Sequence, residues 1–189
     1  MENNSWMIDQ KVSSVVKKMA IPSVISSLVT VVYNMADTFF VGQTQNPLEV
    51  AAVSLTNPIF ILFMAMANML GMGGSAIASQ ALGSQDETRV KNVSSFVTYF
   101  SLFLGILFMC ILLLFPNAIL HLFGANKDTL ELAKGYTFYI AWGAPFIIWS
   151  AAASFIVRAQ GDSKEAMIGS MIGTIINIVL DPVFVSVFH

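Results

Sequence analysis

Five long apolar runs, at about 17–41, 50–81, 93–115, 130–157 and 166–188, alternate with short polar gaps along this 189-residue chain. Each reaches the roughly 20 residues that an α-helix needs to cross the hydrocarbon core of a bilayer. Lipid offers no partner to a backbone N–H or C=O, so each span must satisfy its own, which a helix does and an open strand does not. The pattern predicts an all-α membrane protein of five transmembrane helices, with the polar gaps as loops. The second and fourth runs are long enough to tilt or to project from the bilayer. Pro58 and Pro145 inside them invite kinks, because proline has no backbone donor.

Charge density excludes the soluble alternative. Only 11% of residues are charged and 56% are hydrophobic, against roughly 25% charged in soluble domains. A formal net charge of −2 gives no sign of a nucleic-acid partner; the expected partner is the lipid bilayer. The polar lead before the first run is long and no small-residue cleavage site follows a short apolar core, so the first helix is expected to be retained rather than cleaved as a signal peptide. Cys110, the single cysteine, lies within an apolar run, cannot form an intrachain disulfide and reads as a small buried apolar residue.

Orientation follows from the basic residues. Lys11, Lys17, Lys18, Arg89, Lys91, Arg158 and Lys164 fall on one side, and only Lys127 and Lys134 on the other. The positive-inside rule then predicts a multi-pass protein of the cell inner (plasma) membrane with a cytoplasmic N-terminus. Spans one, three and five run outward.

Two carboxyls interrupt the spans. Asp37 lies in the first run and Asp181 in the fifth, with Asn177 four residues before Asp181 and so on the same helix face. At 1.5 Å per residue, Asp37 sits about 28 Å from Lys18 and Asp181 about 25 Å from Lys164. Matching depths on parallel helices allow one shared site in the outer half of the membrane. There two carboxyls and an amide oxygen offer hard ligands to a cation, or form a proton-sharing pair. Pro182 cannot donate to the carbonyl of Ile178, which adds a candidate ligand. The competing reading is that both carboxyls reach the outer interface and are simply wetted there.

Weaker signals surround this pair. Tyr33, Asn34, Asn57 and Asn68 are polar groups within apolar runs, able to line a cavity or to hydrogen-bond between helices. Gly71, Ser75, Ser79 and Gly83 form a small-residue stripe, and Gly169 and Gly173 a GxxxG, both suited to close helix packing. The methionines Met64, Met66, Met69 and Met72 suit either an adaptable substrate surface or ordinary core filling. His121 and His189 are isolated and give no metal spacing. No phosphate-cradling Gly loop, metalloprotease helix or nucleophile elbow appears, so no catalytic residue is assigned and an enzyme is not expected. No cofactor is expected beyond Na⁺ or H⁺ as a coupling ion, and no metal beyond such a Na⁺.

Four segments together carry a resemblance to a known family: VVYNMADTFFVGQ (31–43), AAVSLTNPIFILFMAMANMLGMGGSAIASQALG (51–83), RAQGDSKEAM (158–167) and IGTIINIVLDPVF (172–184). They resemble the N-terminal part of a multidrug and toxic compound extrusion (MATE) transporter, nearest to the bacterial DinF-like branch. The resemblance implies an antiporter that exports organic, often cationic, compounds in exchange for Na⁺ or H⁺. It also implies that Asp37, Asn177 and Asp181 belong to a cation site in the N-terminal lobe. Such transporters have twelve helices in two lobes, whereas this chain ends with the fifth, so the sixth helix and the C-terminal lobe are absent. The chain is expected as residues 1–189 of that first lobe, either a fragment or a truncated gene product.

Two other readings compete. A lipid-precursor flippase would line its cavity with basic residues, and no Lys or Arg lies deep in any span here. A non-transporting module that packs against a partner would use the small-residue stripes but leaves the carboxyl pair unexplained.

Overall fold

A computed structural model describes residues 12–42 and 47–187, with side chains throughout except at 34, 36–42, 47, 49 and 177–187. These residues form six helices and no strand: α1 Val12–Gly42, α2 Pro47–Gly83, α3 Glu87–Leu114, α4 Pro116–Leu122, α5 Lys127–Ala159 and α6 Ser163–Val187. By length and composition, four of them carry stretches able to cross a membrane, at Val12–Tyr33, Val50–Gly83, Glu87–Leu114 and Lys127–Ala159. The fifth expected span coincides with α6, a 25-residue helix. The all-α class is as expected. The gap at 116–129, expected as loop, instead holds the short helix α4, which starts on Pro116 directly after α3 ends. Proline suits that first position because its missing N–H has no intrahelical acceptor there in any case.

Helices start earlier than the apolar runs because their caps lie in the polar gaps. The carboxylate of Asp86 accepts the Arg89 N–H at 2.9 Å and opens α3. Asn126 opens α5: its side-chain oxygen accepts the N–H groups of Asp128 at 3.1 Å and Thr129 at 3.0 Å. Thr129 Oγ1 in return accepts the Asn126 N–H at 3.2 Å. Such caps satisfy donors that a helix start leaves orphaned.

Three helix ends close in one way. The N–H of Asp86, Ala125 and Asp162 each reaches back five residues, to the carbonyls of Ala81, Leu120 and Val157, and the residue before each reaches back three. This closure needs a left-handed residue at its hinge. Gly124 at φ +92° and Gly161 at φ +96° supply it without strain, but at the third site the hinge is Gln85, at φ +58°. The carbonyl of Ala125 also lies 3.1 Å from His121 Nδ1, so His121 serves the end of α4.

The helices divide into two compact units, Met1–Thr44 with Val157–His189, and Gln45–Ile156. In the second unit α2 buries Ala52, Thr56, Ile59, Phe63, Ala67, Leu70, Gly74, Ala78 and Ala81, each three or four residues after the one before. Ile59, Phe63 and Ala67 meet Leu112 of α3 and Ala141, Ala144 and Ile148 of α5. Leu70 meets Val97, Ala152 and Ile156, and Ala52 meets Leu120, Ala125 and Ala133 near the other end. Small residues let these helices approach closely. Pro58 and Pro145 lie inside unbroken helices.

Two expectations are corrected. Cys110 is exposed, not buried: in a span surrounded by hydrocarbon, apolar character does not mean an interior position. The expected stripe Gly71, Ser75, Ser79 and Gly83 does not stay in the interface. Gly71 is buried beside Phe155, but Ser79 and Gly83 are exposed, and a Cβ on Gly83 would meet nothing within 4 Å. Fourfold spacing advances about 40° per step against a period of 3.6, so the stripe drifts off the buried face.

Candidate ion and substrate site

In the first unit α1 packs along α6, so the helices carrying the two predicted carboxyls are neighbours. Asp37 lies near the end of α1, and Asn177 and Asp181 in the second half of α6. Their backbones are helical; their side chains, and that of Asn34, lie outside what the structure describes.

Polar rows lead along both helices toward these positions. On α1, Ser23 is half-buried, Ser26 is 5% exposed and Tyr33 is half-buried and already engaged by a neighbour. At 100° per residue, Ser23, Ser26, Thr30, Tyr33 and Asp37 occupy register positions within about 80° of arc. On α6, Ser163 is buried and Ser170 and Thr174 are half-buried. These three and the positions of Asn177 and Asp181 fall within about 60°. Four of these hydroxyls are satisfied within their own helices: Ser23 Oγ donates to the Met19 carbonyl at 3.1 Å, Thr30 to Ser26 at 3.0 Å, Ser170 to Ala166 at 2.9 Å and Thr174 to Ser170 at 2.9 Å. A hydroxyl bonded to its own helix is tolerated at membrane depth, where a free one is costly.

A second polar row, unseen as such in the sequence, runs along α2. Ser54, Asn57, Asn68 and Ser79 are exposed and Ser75 is half-exposed. All five fall within about 60° of arc, roughly 130° from the buried face. Ser54 and Ser75 donate to the carbonyls of Val50 and Met72. Among the described residues Asn57 and Asn68 have no hydrogen-bond partner, so the interhelical bonds considered for them do not form among those residues. The row could have been found by plotting polar residues of the second run on a helical wheel.

Comparison with known proteins places these features in context. A family model described as MatE matches residues 22–183. A multidrug export protein MepA of Staphylococcus saprophyticus is 34% identical over 176 residues, which are 92% of this chain and 39% of that protein. The MepA of Staphylococcus haemolyticus is 35% identical over 180 residues, 94% of this chain and 40% of its own length. A crystal structure of a MATE protein in complex with MaD3S superposes with a TM-score of 0.90 at 30% identity, covering 96% of this chain and 41% of the other. The chain thus spans about two fifths of the length of the relatives it matches. Neither MepA name speaks to the DinF-like branch.

Proposed function

The chain belongs to the MatE family of transporters, and from that premise we propose that it supplies the N-terminal lobe of a cation-coupled antiporter exporting organic, often cationic, compounds. Proteins of this family are transporters and not enzymes. The activity is that of a complete transporter, since alternating access needs a second body to rock against this one. Its lobe is residues 1–189, in the plasma membrane with a cytoplasmic N-terminus, and it follows the DinF-like branch.

In this reading Asp37, Asn177 and Asp181 form the coupling site for Na⁺ or H⁺. The observation that carries it is the packing of α1 along α6, with polar rows on both helices whose register leads to these positions. Two carboxylates near one another at membrane depth are strained when empty, and either Na⁺ or a proton relieves the same negative charge. The two ions therefore compete. The row on α2 through Asn57 and Asn68 faces the substrate path in this reading, because an exposed amide is costly against lipid and useful against a polar solute.

Asp37→Asn in the full-length transporter tests the coupling site. It keeps the size of the side chain and removes the charge, and should abolish efflux driven by imposed Na⁺ or H⁺ gradients in inverted vesicles while membrane insertion is unchanged. Wild-type rates under both gradients would show the carboxyl to be structural.

A further inference from the structure

Between α2 and α3 lies an open groove of about 350 Å³, lined by Met69, Gly73, Gly74 and Ile77 on one side and by Asn92, Val93, Phe96 and Val97 on the other. Gly73 makes the hollow: a Cβ there would meet nothing within 4 Å. The lining is apolar but for Asn92. Met69, Ile77 and Phe96 are 59%, 41% and 58% exposed, so the groove opens outward from the unit. Its volume falls at the small end of the roughly 300–1,000 Å³ typical of ligand sites.

Which way it opens follows from α2. The positions of Met69, Gly73 and Ile77 centre about 140° around the helix from the row Asn57–Asn68–Ser75. Taking the polar row as the side toward the substrate path, as proposed above, the groove lies on the opposite side and faces lipid, and the inference rests on that reading. The inner end of the groove lies by the turn at 84–86. There Arg89, exposed, sits one helical turn before Val93 on the groove's face, next to the exposed amide of Asn92. Exposed Gln80 follows Ile77 at the same level of α2. Of the other charges nearby, Asp86 is occupied in capping α3 through the Arg89 N–H, and Glu87 and Lys91 lie about 160° around α3 from Arg89.

We infer that this groove seats one acyl chain of an anionic phospholipid, with its phosphate at Arg89 and Asn92. An apolar trough closed at the membrane surface by a guanidinium and an amide matches the two ends of such a lipid: the chain fills the space beside Gly73, and the guanidinium meets the phosphate as a charged donor. A buried chain segment contributes in proportion to the apolar surface it covers.

Native mass spectrometry of the purified chain, titrated with phosphatidylglycerol and with phosphatidylcholine of the same acyl chains, reads the site. Wild-type chain should retain one phospholipid and prefer phosphatidylglycerol about fivefold, the order set by one basic residue at a membrane surface. Gly73→Leu should lose the retained lipid, and Arg89→Gln should keep it without the preference. Gly169→Leu, which adds the same bulk where a Cβ also meets nothing within 4 Å, should behave as wild type. Helical content by circular dichroism confirms that each variant is folded. A second measurement needs no variant: phosphatidylglycerol carrying a photoactivatable acyl chain should label peptides containing 69–77 and 92–97. Lipid retained equally by Gly73→Leu, labelling confined to other faces, or a wild-type dimer that Gly73→Leu dissolves would each overturn the assignment, the last by making a second copy the occupant.

Discussion

Gly105 of α3 lies against Pro145 of α5 with no room for a side chain between them: a Cβ on Gly105 would run into the Cα of Pro145 and come within 2.9 Å of its nitrogen and 3.1 Å of the Ala144 carbonyl oxygen. Backbone therefore meets backbone where the two helices cross. Proline has no N–H at that surface, so the contact leaves no donor of Pro145 unpaired.

Gly105→Ala should consequently destabilise the second unit by about 1–3 kcal/mol, the scale of overpacking a tight contact. Gly169→Ala on α6, where space is open, should be neutral or stabilising by up to about 1 kcal/mol through helix propensity. Thermal unfolding in detergent, followed by circular dichroism, separates them; equal behaviour of the two would contradict the close crossing.

At the three helix ends of one design, Gln85 alone holds a left-handed backbone with a side chain attached. Gln85→Gly should therefore cost nothing and gain up to about 1 kcal/mol, while Gly161→Ala should lose about 1 kcal/mol. The same melting experiment reads both, and a loss on Gln85→Gly would point to a role for the side chain.

Thr137 on α5 is 1% exposed and, among the described residues, its hydroxyl has no hydrogen-bond partner. Replacing it by valine keeps the shape and removes an unpaired polar group, so Thr137→Val should match or exceed wild-type stability. A lower melting temperature would reveal a hydroxyl partner in the assembled protein.

If the α2 row lines the substrate path, Asn57→Leu and Asn68→Leu in the full-length transporter should each impair export several-fold with little change in expression or melting temperature. If the row faced lipid, the same changes would stabilise the protein and leave export intact. Export of a fluorescent organic cation alongside thermal stability distinguishes the two.

Topology is checked by cysteine labelling in a Cys110→Ser background. With a cytoplasmic N-terminus, cysteine at Lys127 should react with an impermeant reagent in intact cells, and cysteine at Ser84 or Lys164 should not. The reverse pattern would invert the orientation.

Hydropathy alone carried the all-α fold class and the approximate places of the long helices, four of which carry stretches able to cross a membrane by length and composition, because a bilayer demands both length and internally satisfied backbone from each segment. Asp37 and Asp181, the two carboxyls expected at membrane depth, stood out for the same reason: few residues are as costly there. What sequence could not supply was the sense of each face. Cys110 reads as core and is exposed, and Ser75 and Ser79 read as packing yet stand outside the interface, since in lipid both core and surface are apolar and composition cannot tell them apart. The pairing of α1 with α6, the backbone crossing at Gly105 and the groove beside Gly73 depend on which helices meet and at what register. Those contacts join residues tens of positions apart, and only packing in three dimensions decides them.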